Sequence, residues 1–551
     1  VIKLYGEGVS VKSITLTALG GEKIAGTGLI TASYSAAPTV AMTDEATSTI
    51  TLNCGDGIAL GADATEFWFA LPPTTFDEGF RFEAIDTEDR VFLMHTTKSI
   101  EVKRNEIKPM AALRFNADAP ADNQIFYYCN EGHTTPITFY SGDNPFDAKV
   151  VDHYYNPASQ RFVIEFDAAL KVIKEQAFCD YNHSDTYHMR RIILPESLTT
   201  IEEQAFWNTS LERIVIPGAV NHIGHRAFES CDELRYLTFE PSPTNTPLEI
   251  GYARTGALDE NRIAPFGNSP LWEINVNRNF SDNLFKPTNH NEGILASAHG
   301  YASYPVIVIG EQMTEINNYM FGTQLIESIT IPDHITKIGV GAFSGCYKLT
   351  SIKIPASVQS IGYNAFYGCS AMKELRIEDS DTPLPIGYNY GAFDDEYGPF
   401  YDSPLSYIYC GRDIVQVDDD GNPSPADGWE EGVFTNFKYD ESNFQTSLNI
   451  GPKVTKIINY MFSHVRVPYM YIYPAIREIG YRAFYKCPIF TGLSCNHTTP
   501  PILDSNAFEG CEKIYFIKVP EEAIDTFKNA PNWSAFDRVG SDGKNIYRAI
   551  D

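Results

Sequence analysis

Ten cysteines, one His-x-x-His pair and one run of carboxylates offer this 551-residue chain its most obvious chemistry, and their spacing decides what kind it is. Cys231, Cys346, Cys369, Cys487 and Cys511 each follow a phenylalanine by three positions. Thiols that recur beside a fixed neighbour mark a repeated structural unit, and no C-x2-C pair accompanies them. The expectation is a ladder of buried free thiols serving as small apolar filler, with disulfides or metal sites as the alternatives. His222 and His225 have the spacing of half a metal site but no evident third ligand. Asp418-Asp419-Asp420-Gly421-Asn422, with Asp427, Glu430 and Glu431, gathers oxygen ligands of the type calcium prefers. Pro423 and Pro425 interrupt the spacing of a calcium loop, so a solvated acidic turn is expected. No G-x-S-x-G, H-E-x-x-H or phosphate-cradling glycine loop occurs. We therefore assign no catalytic residue, no metal ligand and no cofactor, and expect a protein that is not an enzyme.

Residues suited to binding are easier to find. Arg190, Arg191, Glu212, Arg213, Arg235 and Tyr236 fall between inward-facing apolar positions of candidate strands, as a basic and aromatic patch. Forked guanidinium donors there would engage an acidic ligand; the bland reading is a solvated face of local charge pairs. Tyr469, Tyr471, Tyr515 and Phe516 take similar positions later in the chain, where aromatic rings either contact protein or sugar or simply cover strand edges.

The elements that must carry these side chains come from a repeat. Ile201, Ile223, Ile338, Ile361 and Ile479 precede the pairs Ala205-Phe206, Ala227-Phe228, Ala342-Phe343, Ala365-Phe366 and Ala483-Phe484, and the phenylalanine intervals 206→228, 321→343 and 462→484 are all 22. A period of that size indicates a solenoid, in which each copy buries its apolar face only against its neighbours. In the clearest copy Leu349, Ile352 and Ile354 point inward from a short strand that Pro355 ends. Val358 and Ile361 line the return side, Gly362 permits a tight bend, and Phe366 fills the interior. Phe178, Phe321 and Phe462 lie 143 and 141 apart, so the array reads as three blocks within 167–520, with long insertions near 276–305 and 411–448.

Residues 1–117 lack the repeat. Their alternating runs Ile14-Thr15-Leu16-Thr17, Thr49-Ile50-Thr51-Leu52, Phe67-Trp68-Phe69, Phe80-Arg81-Phe82 and Val91-Phe92-Leu93 predict an antiparallel β-sandwich. Residues 118–166 read as a linker and N-terminal cap with strands at 125–128, 137–140 and 162–166. Residues 521–551 read as a C-terminal cap, with a helix over 521–529 and a buried Trp533. The predicted fold class is mainly β with short helical turns. Forty-two Lys and Arg against 71 Asp and Glu leave a formal charge of −29, which disfavours nucleic acid and anionic lipid as partners. No apolar run is long enough to span a membrane as a helix. The chain opens at Val1, as a processed product would.

The unit Leu-x-x-Ile-x-Ile-Pro-x-x-Val-x-x-Ile-Gly-x-x-Ala-Phe-x-x-Cys resembles the leucine-rich repeats of BspA-like, or Treponema-type, surface proteins. Seven Ala-Phe copies make that likeness specific. The stretches 123–128, 145–148 and 163–167 look like the lead-in of such proteins from Bacteroidetes, and 519–536 looks like their closing motif. Phe69 through Phe76 and Lys98 through Met110 are similar to the fimbrillin-like sandwich of the same bacteria. The resemblance implies an extracellular protein, secreted or held at the outer-membrane surface by a lipid anchor, that adheres to host matrix proteins or to surface proteins of other bacteria. The competing expectation is a glycan-binding accessory protein of a nutrient-capture system.

Overall fold

The computed structural model describes the whole chain except residues 7–8, 19, 32–38, 44–45, 62, 78, 88–90, 96–98, 104–111, 116–119, 121, 131, 140–143, 157–160, 180–188, 252–264, 282–292, 296–304, 388–397, 419–431, 436–444, 541–542 and 551. Two compact units emerge, Val1–Ala119 and Pro120–Asp551.

In the second unit the repeats supply strands to a front ladder and two- to four-residue strands to a back ladder, joined in parallel, except that the front segment Ile329-Thr330-Ile331 forms no strand. The first front ladder runs Met189–Ile193, Arg213–Ile216, Tyr236–Phe239, Glu273–Val276 and Val306–Ile309. The second holds Ser351–Ile354, Glu374–Ile377, Tyr407–Cys410 and Ser447–Ile450. The third holds Tyr469–Ile472, Gly492–Cys495, Phe516–Val519 and Tyr547–Ala549. Alternation along each strand explains the packing: Leu349, Ile352 and Ile354 are buried while Ser351 and Lys353 are exposed. Val358 and Ile361 are buried on the return side.

The Ala-Phe turn is shaped by two left-handed residues, one on each side. Asn364 (φ 53°) and Gly368 (φ 69°) flank Phe366, and Arg226 and Ser230 do the same for Phe228. Gly362 has a different role from the expected bend. Its φ is ordinary, but a Cβ there would lie 2.4 Å from the Val340 nitrogen, so glycine lets adjacent repeats approach closely. The phenylalanines stack face to face. Phe178, Phe206, Phe228 and Phe266 form one run, and Phe321, Phe343, Phe366, Phe400, Phe434, Phe462, Phe484 and Phe508 form another, with centroids 4.9–5.7 Å apart. Each such pair adds about 0.5–1.5 kcal/mol to the burial of the rings.

Most of the two expected insertions, 276–305 and 411–448, lies outside the described residues, and the described residues at and within them follow the repeat pattern. Glu273–Val276, Val306–Ile309, Ile414–Val417 and Ser447–Ile450 are ladder strands, and Ile294, Leu295, Val433 and Phe434 are buried. The Leu295 N–H donates to Met320 O just as the Phe434 N–H donates to Met461 O, so leucine occupies one position of the ring stack. The back ladder breaks between blocks, and a side chain bridges each break. Asn279 Oδ1 accepts the Thr314 N–H at 2.8 Å, and Asp413 Oδ1 accepts the N–H groups of Thr455 and Lys456 at 2.6 and 3.1 Å. Asp147 Oδ1 does the same for Lys171 and Val172.

An antiparallel group, Val150–Asn156, Arg161–Phe166 and Gln124–Cys129, joins Met189–Ile193 and covers the first repeat. The strand expected at 137–140 is absent from its described part; Ile137 is held in the core by donating its N–H to Tyr127 Oη at 3.1 Å. At the other end Glu521–Ala523, Ile524–Asn529 and Trp533–Phe536 are helical, and Trp533 is buried with Nε1 donating to Pro501 O at 2.7 Å.

The first unit contains a four-stranded antiparallel sheet of Thr49–Ala59, Ser10–Ala18, Phe80–Asp86 and Val91–His95. A three-stranded sheet joins Ala112–Arg114, Ile2–Tyr5 and Thr65–Phe67. It corrects the wholly antiparallel expectation, because Ile2–Tyr5 runs parallel to Ala112–Arg114. Leu4, Ile14, Leu16, Phe67 and Phe82 share one core, whereas Trp68 is exposed just past its strand.

Candidate functional site

Because one side of each front strand is committed to the core, the side chains left for recognition are those between the inward residues. Register places them in rows across the sheet. Tyr128, Arg191, Arg213, Tyr236, Glu273 and Val306 are successive partners, so the expected residues Arg191, Arg213 and Tyr236 lie in a single row. The guanidinium carbon of Arg191 sits 5.3 Å from the Tyr128 ring centroid and that of Arg213 sits 4.7 Å from the Tyr236 centroid. Stacking of this kind fixes a guanidinium plane at a cost in entropy already met by the fold. Arg190 faces Glu212 at 3.7 Å, and Arg235 pairs with Glu233 at 3.4 Å while covering the Trp272 ring at 5.3 Å.

The second expected group belongs to the third front ladder and is only partly assembled. Tyr469, Gly492 and Phe516 are row partners. A Cβ on Gly492 would come within 2.9 Å of the Phe516 ring, so the glycine lets that ring lie across it toward Tyr469, 5.9 Å between centroids. Tyr471 sits one row away, beside Ser494 and Lys518, and its ring meets Tyr473 at 4.8 Å. Tyr515 precedes its strand; its carbonyl accepts Arg548 Nη2 at 2.8 Å.

Sequence reasoning passed over Trp272, Val306 and Val308, which are 53%, 62% and 48% exposed. The signal was available, since Leu271-x-x-Ile274-x-Val276 repeats the spacing of Leu234-x-x-Leu237-x-Phe239 and so puts Trp272 beside Arg235. Tyr409 was also missed. Its hydroxyl donates to Asp379 Oδ1 at 2.6 Å beneath the Arg376 guanidinium, and burial, then that hydrogen bond, pushes its pKa up to about 12.

The groups with metal or redox chemistry are placed elsewhere. All ten cysteines are free, eight of them buried. The thiols also do more than fill space: those of Cys231, Cys346, Cys369, Cys487 and Cys511 donate to the carbonyls of Phe206, Phe321, Phe343, Phe462 and Phe484, one repeat earlier, at 2.9–3.3 Å. Burial pushes the Cys231 pKa up to about 12. His222 lies on a back strand, whereas buried His225 approaches Glu203 at 3.4 Å, its pKa lowered by burial. Among the described residues no group of three or more His, Cys, Asp or Glu is placed to hold a metal ion. The acidic run from Asp419 onward lies outside the described residues.

The family model of the BspA type leucine rich repeat region matches residues 153–250, 296–388 and 434–534, in six copies. Among solved structures, the pneumococcal vaccine antigen PcpA is 16% identical over 65% of this chain and 82% of its own, with a TM-score of 0.28. A leucine-rich repeat protein from Bacteroides ovatus is 14% identical over 76% of this chain and all of its own, with a TM-score of 0.28. A leucine rich cell surface protein from Faecalibacterium prausnitzii is 16% identical over 73% and 94%, with a TM-score of 0.21. These likenesses are too distant to carry functional inference. No curated protein matches.

Proposed function

The chain belongs to the BspA-type leucine-rich-repeat family, and on that footing we propose that it is a non-enzymatic surface recognition protein that binds other proteins through its outward front strands. We read 167–520 as a solenoid, 118–166 and 521–551 as its caps, and 1–117 as a two-layer sandwich of the fimbrillin-like kind. The location that fits is extracellular, at the cell surface or secreted. Among the described residues no helix is long and apolar enough to cross a membrane. The observation that carries the binding reading is the row Tyr128, Arg191, Arg213 and Tyr236, held in register with each guanidinium on a ring. Central arginine and aromatic anchors dominate protein interfaces out of proportion to their area. Host matrix proteins and surface proteins of other bacteria are the partners proposed.

A glycan-binding reading draws on the contact of Tyr469 with Phe516 over Gly492, an aromatic surface that a sugar ring could stack on. Interferometry of the immobilised chain against a matrix-protein panel, run beside a glycan array, separates the two. Protein binding weakened tenfold or more by Arg213→Ala is expected. Binding to sugars alone, abolished by Tyr469→Ala and Phe516→Ala, would replace protein adhesion with glycan capture.

A further inference from the structure

We propose that the front face where the second block meets the third takes a polyproline II segment of a partner protein, with prolines three residues apart packed on two successive tyrosine ridges. This rests on the strand-face reading above and specifies the partner's conformation and chemistry.

The outward side chains of these front strands alternate in size from one strand to the next. Tyr407 and Tyr409 are followed in register by Ser447 and Asn449. The next front strand, Tyr469–Ile472, lies beside Ser447–Ile450 and presents Tyr469 and Tyr471, which Gly492 and Ser494 follow in register. Rings therefore stand on every second strand. Ser447 and Asn449 are exposed, so the floor between the two ridges is open. Phe516 lies across Gly492 and thickens the Tyr469 ridge.

The spacing selects the occupant. Two strand steps separate the ridges, or about 9.6 Å. A polyproline II helix turns once in three residues and rises about 9.3 Å in doing so, which brings every third side chain onto a ridge. A β-extended peptide repeats its facing side chains every 6.8 Å or so and an α-helix about every 5.4 Å, and neither stays in step with the rings. Proline rings pack on aromatic side chains, and the segment is preformed, so little entropy is lost on docking. Its backbone carbonyls make no internal hydrogen bonds and accept from the donors on this face. Those donors are the hydroxyls of Tyr407, Tyr469 and Tyr471, which have no hydrogen-bond partner among the described residues, and the Arg376 guanidinium, stacked 4.3 Å from the Tyr409 centroid. Charge here is balanced: Glu374 stands two residues from Arg376 on the same strand face, and Lys353 is paired with Glu378. A balanced face does not draw a polyanion and suits an uncharged segment.

The test is an array of synthetic twelve-residue peptides carrying two prolines with one to four residues between them, probed with the full chain and run beside neutral oligosaccharides. Binding should be tightest with two residues between the prolines. It should fall at least tenfold with Tyr407→Ala and, separately, with Tyr469→Ala. Ser447→Trp, which fills the exposed floor and removes no ring, should block the peptide as well. These side chains lie on the outer face, and unchanged urea midpoints would show that the variants fold. Peptide binding that ignores the proline spacing, or that survives Ser447→Trp, overturns the proposal. Oligosaccharide binding lost with the tyrosines, in the absence of any peptide binding, overturns it in favour of a sugar platform. If no peptide binds but a protein from the panel is lost on Arg213→Ala, strand-face recognition stands and this inference fails. If no front-strand change affects any protein partner, the broader reading fails as well.

Discussion

At the residue scale the thiol of Cys369 is informative because two repeats replace it. Ser269 Oγ donates to Phe228 O and Ser403 Oγ to Phe366 O, both at 2.9 Å, at the position three after the stacked ring where five other repeats carry cysteine. These seven repeats place a small side chain with a donor hydrogen there, whereas Gln324 and Val465 hold the position after Phe321 and Phe462. Cys369→Ser should therefore cost under about 1 kcal/mol, whereas Cys369→Ala, which removes the donor and leaves a small void, should cost about 1–2 kcal/mol. Urea unfolding midpoints would decide this, and equal losses for Ser and Ala would show that the hydrogen bond is irrelevant. Access decides which thiols react: eight are buried and only Cys54 and Cys129 are partly exposed, so Ellman's reagent should titrate those two alone before unfolding. The cysteine spacing was legible in sequence because it tracks the ring; the donation to the preceding repeat was not, because nothing local shows which carbonyl lies opposite.

Among elements, the block boundaries depend on single side chains. Asp413 receives the Thr455 and Lys456 N–H groups on Oδ1 and the Thr455 hydroxyl on Oδ2 at 2.6 Å, replacing ladder bonds that stop there. Asp413→Ala removes three acceptor contacts and should cost about 1–3 kcal/mol. The cost should appear as faster hydrogen exchange in 455–480 with little change in 200–250. Asp413→Asn should be milder, since Asn279 performs the same task for Thr314. Matching exchange in the two variants would contradict this account. Inward positions of the strong repeats were legible because period-two patterning is local. The weaker repeats were not, because thirteen residues lie between Ile386 and Phe400 where four lie between Ile361 and Phe366, and because Leu295 interrupts the ring sequence. Ile329-Thr330-Ile331 has the inward pattern but forms no strand, and its own residues do not explain why. The row of front-strand arginines and tyrosines was legible. Its end at Val306 was not, because an exposed valine looks like any other strand residue until register places it beyond Glu273.

For the molecule as a whole, the decisive property is that each repeat of the second unit packs chiefly on its neighbours, so damage at one end should stay there. Trp533 seals the last repeat: its ring meets Phe527 at 5.1 Å, its backbone carbonyl accepts Tyr547 Oη at 2.7 Å, and nearby Phe536 meets Phe508. Trp533→Ala should cost on the order of 3–5 kcal/mol at that site. In a single cooperative core such a loss would lower the stability of every region equally. In a stack of neighbour-coupled repeats it should open 484–551 first and leave the protection of 172–276 unchanged, with the Phe321–Phe508 ring run carrying a graded response between them. Hydrogen exchange resolved by peptide distinguishes these outcomes. A uniform acceleration across 172–551 would mean that the second unit unfolds as one body and that the repeats do not act as separable units.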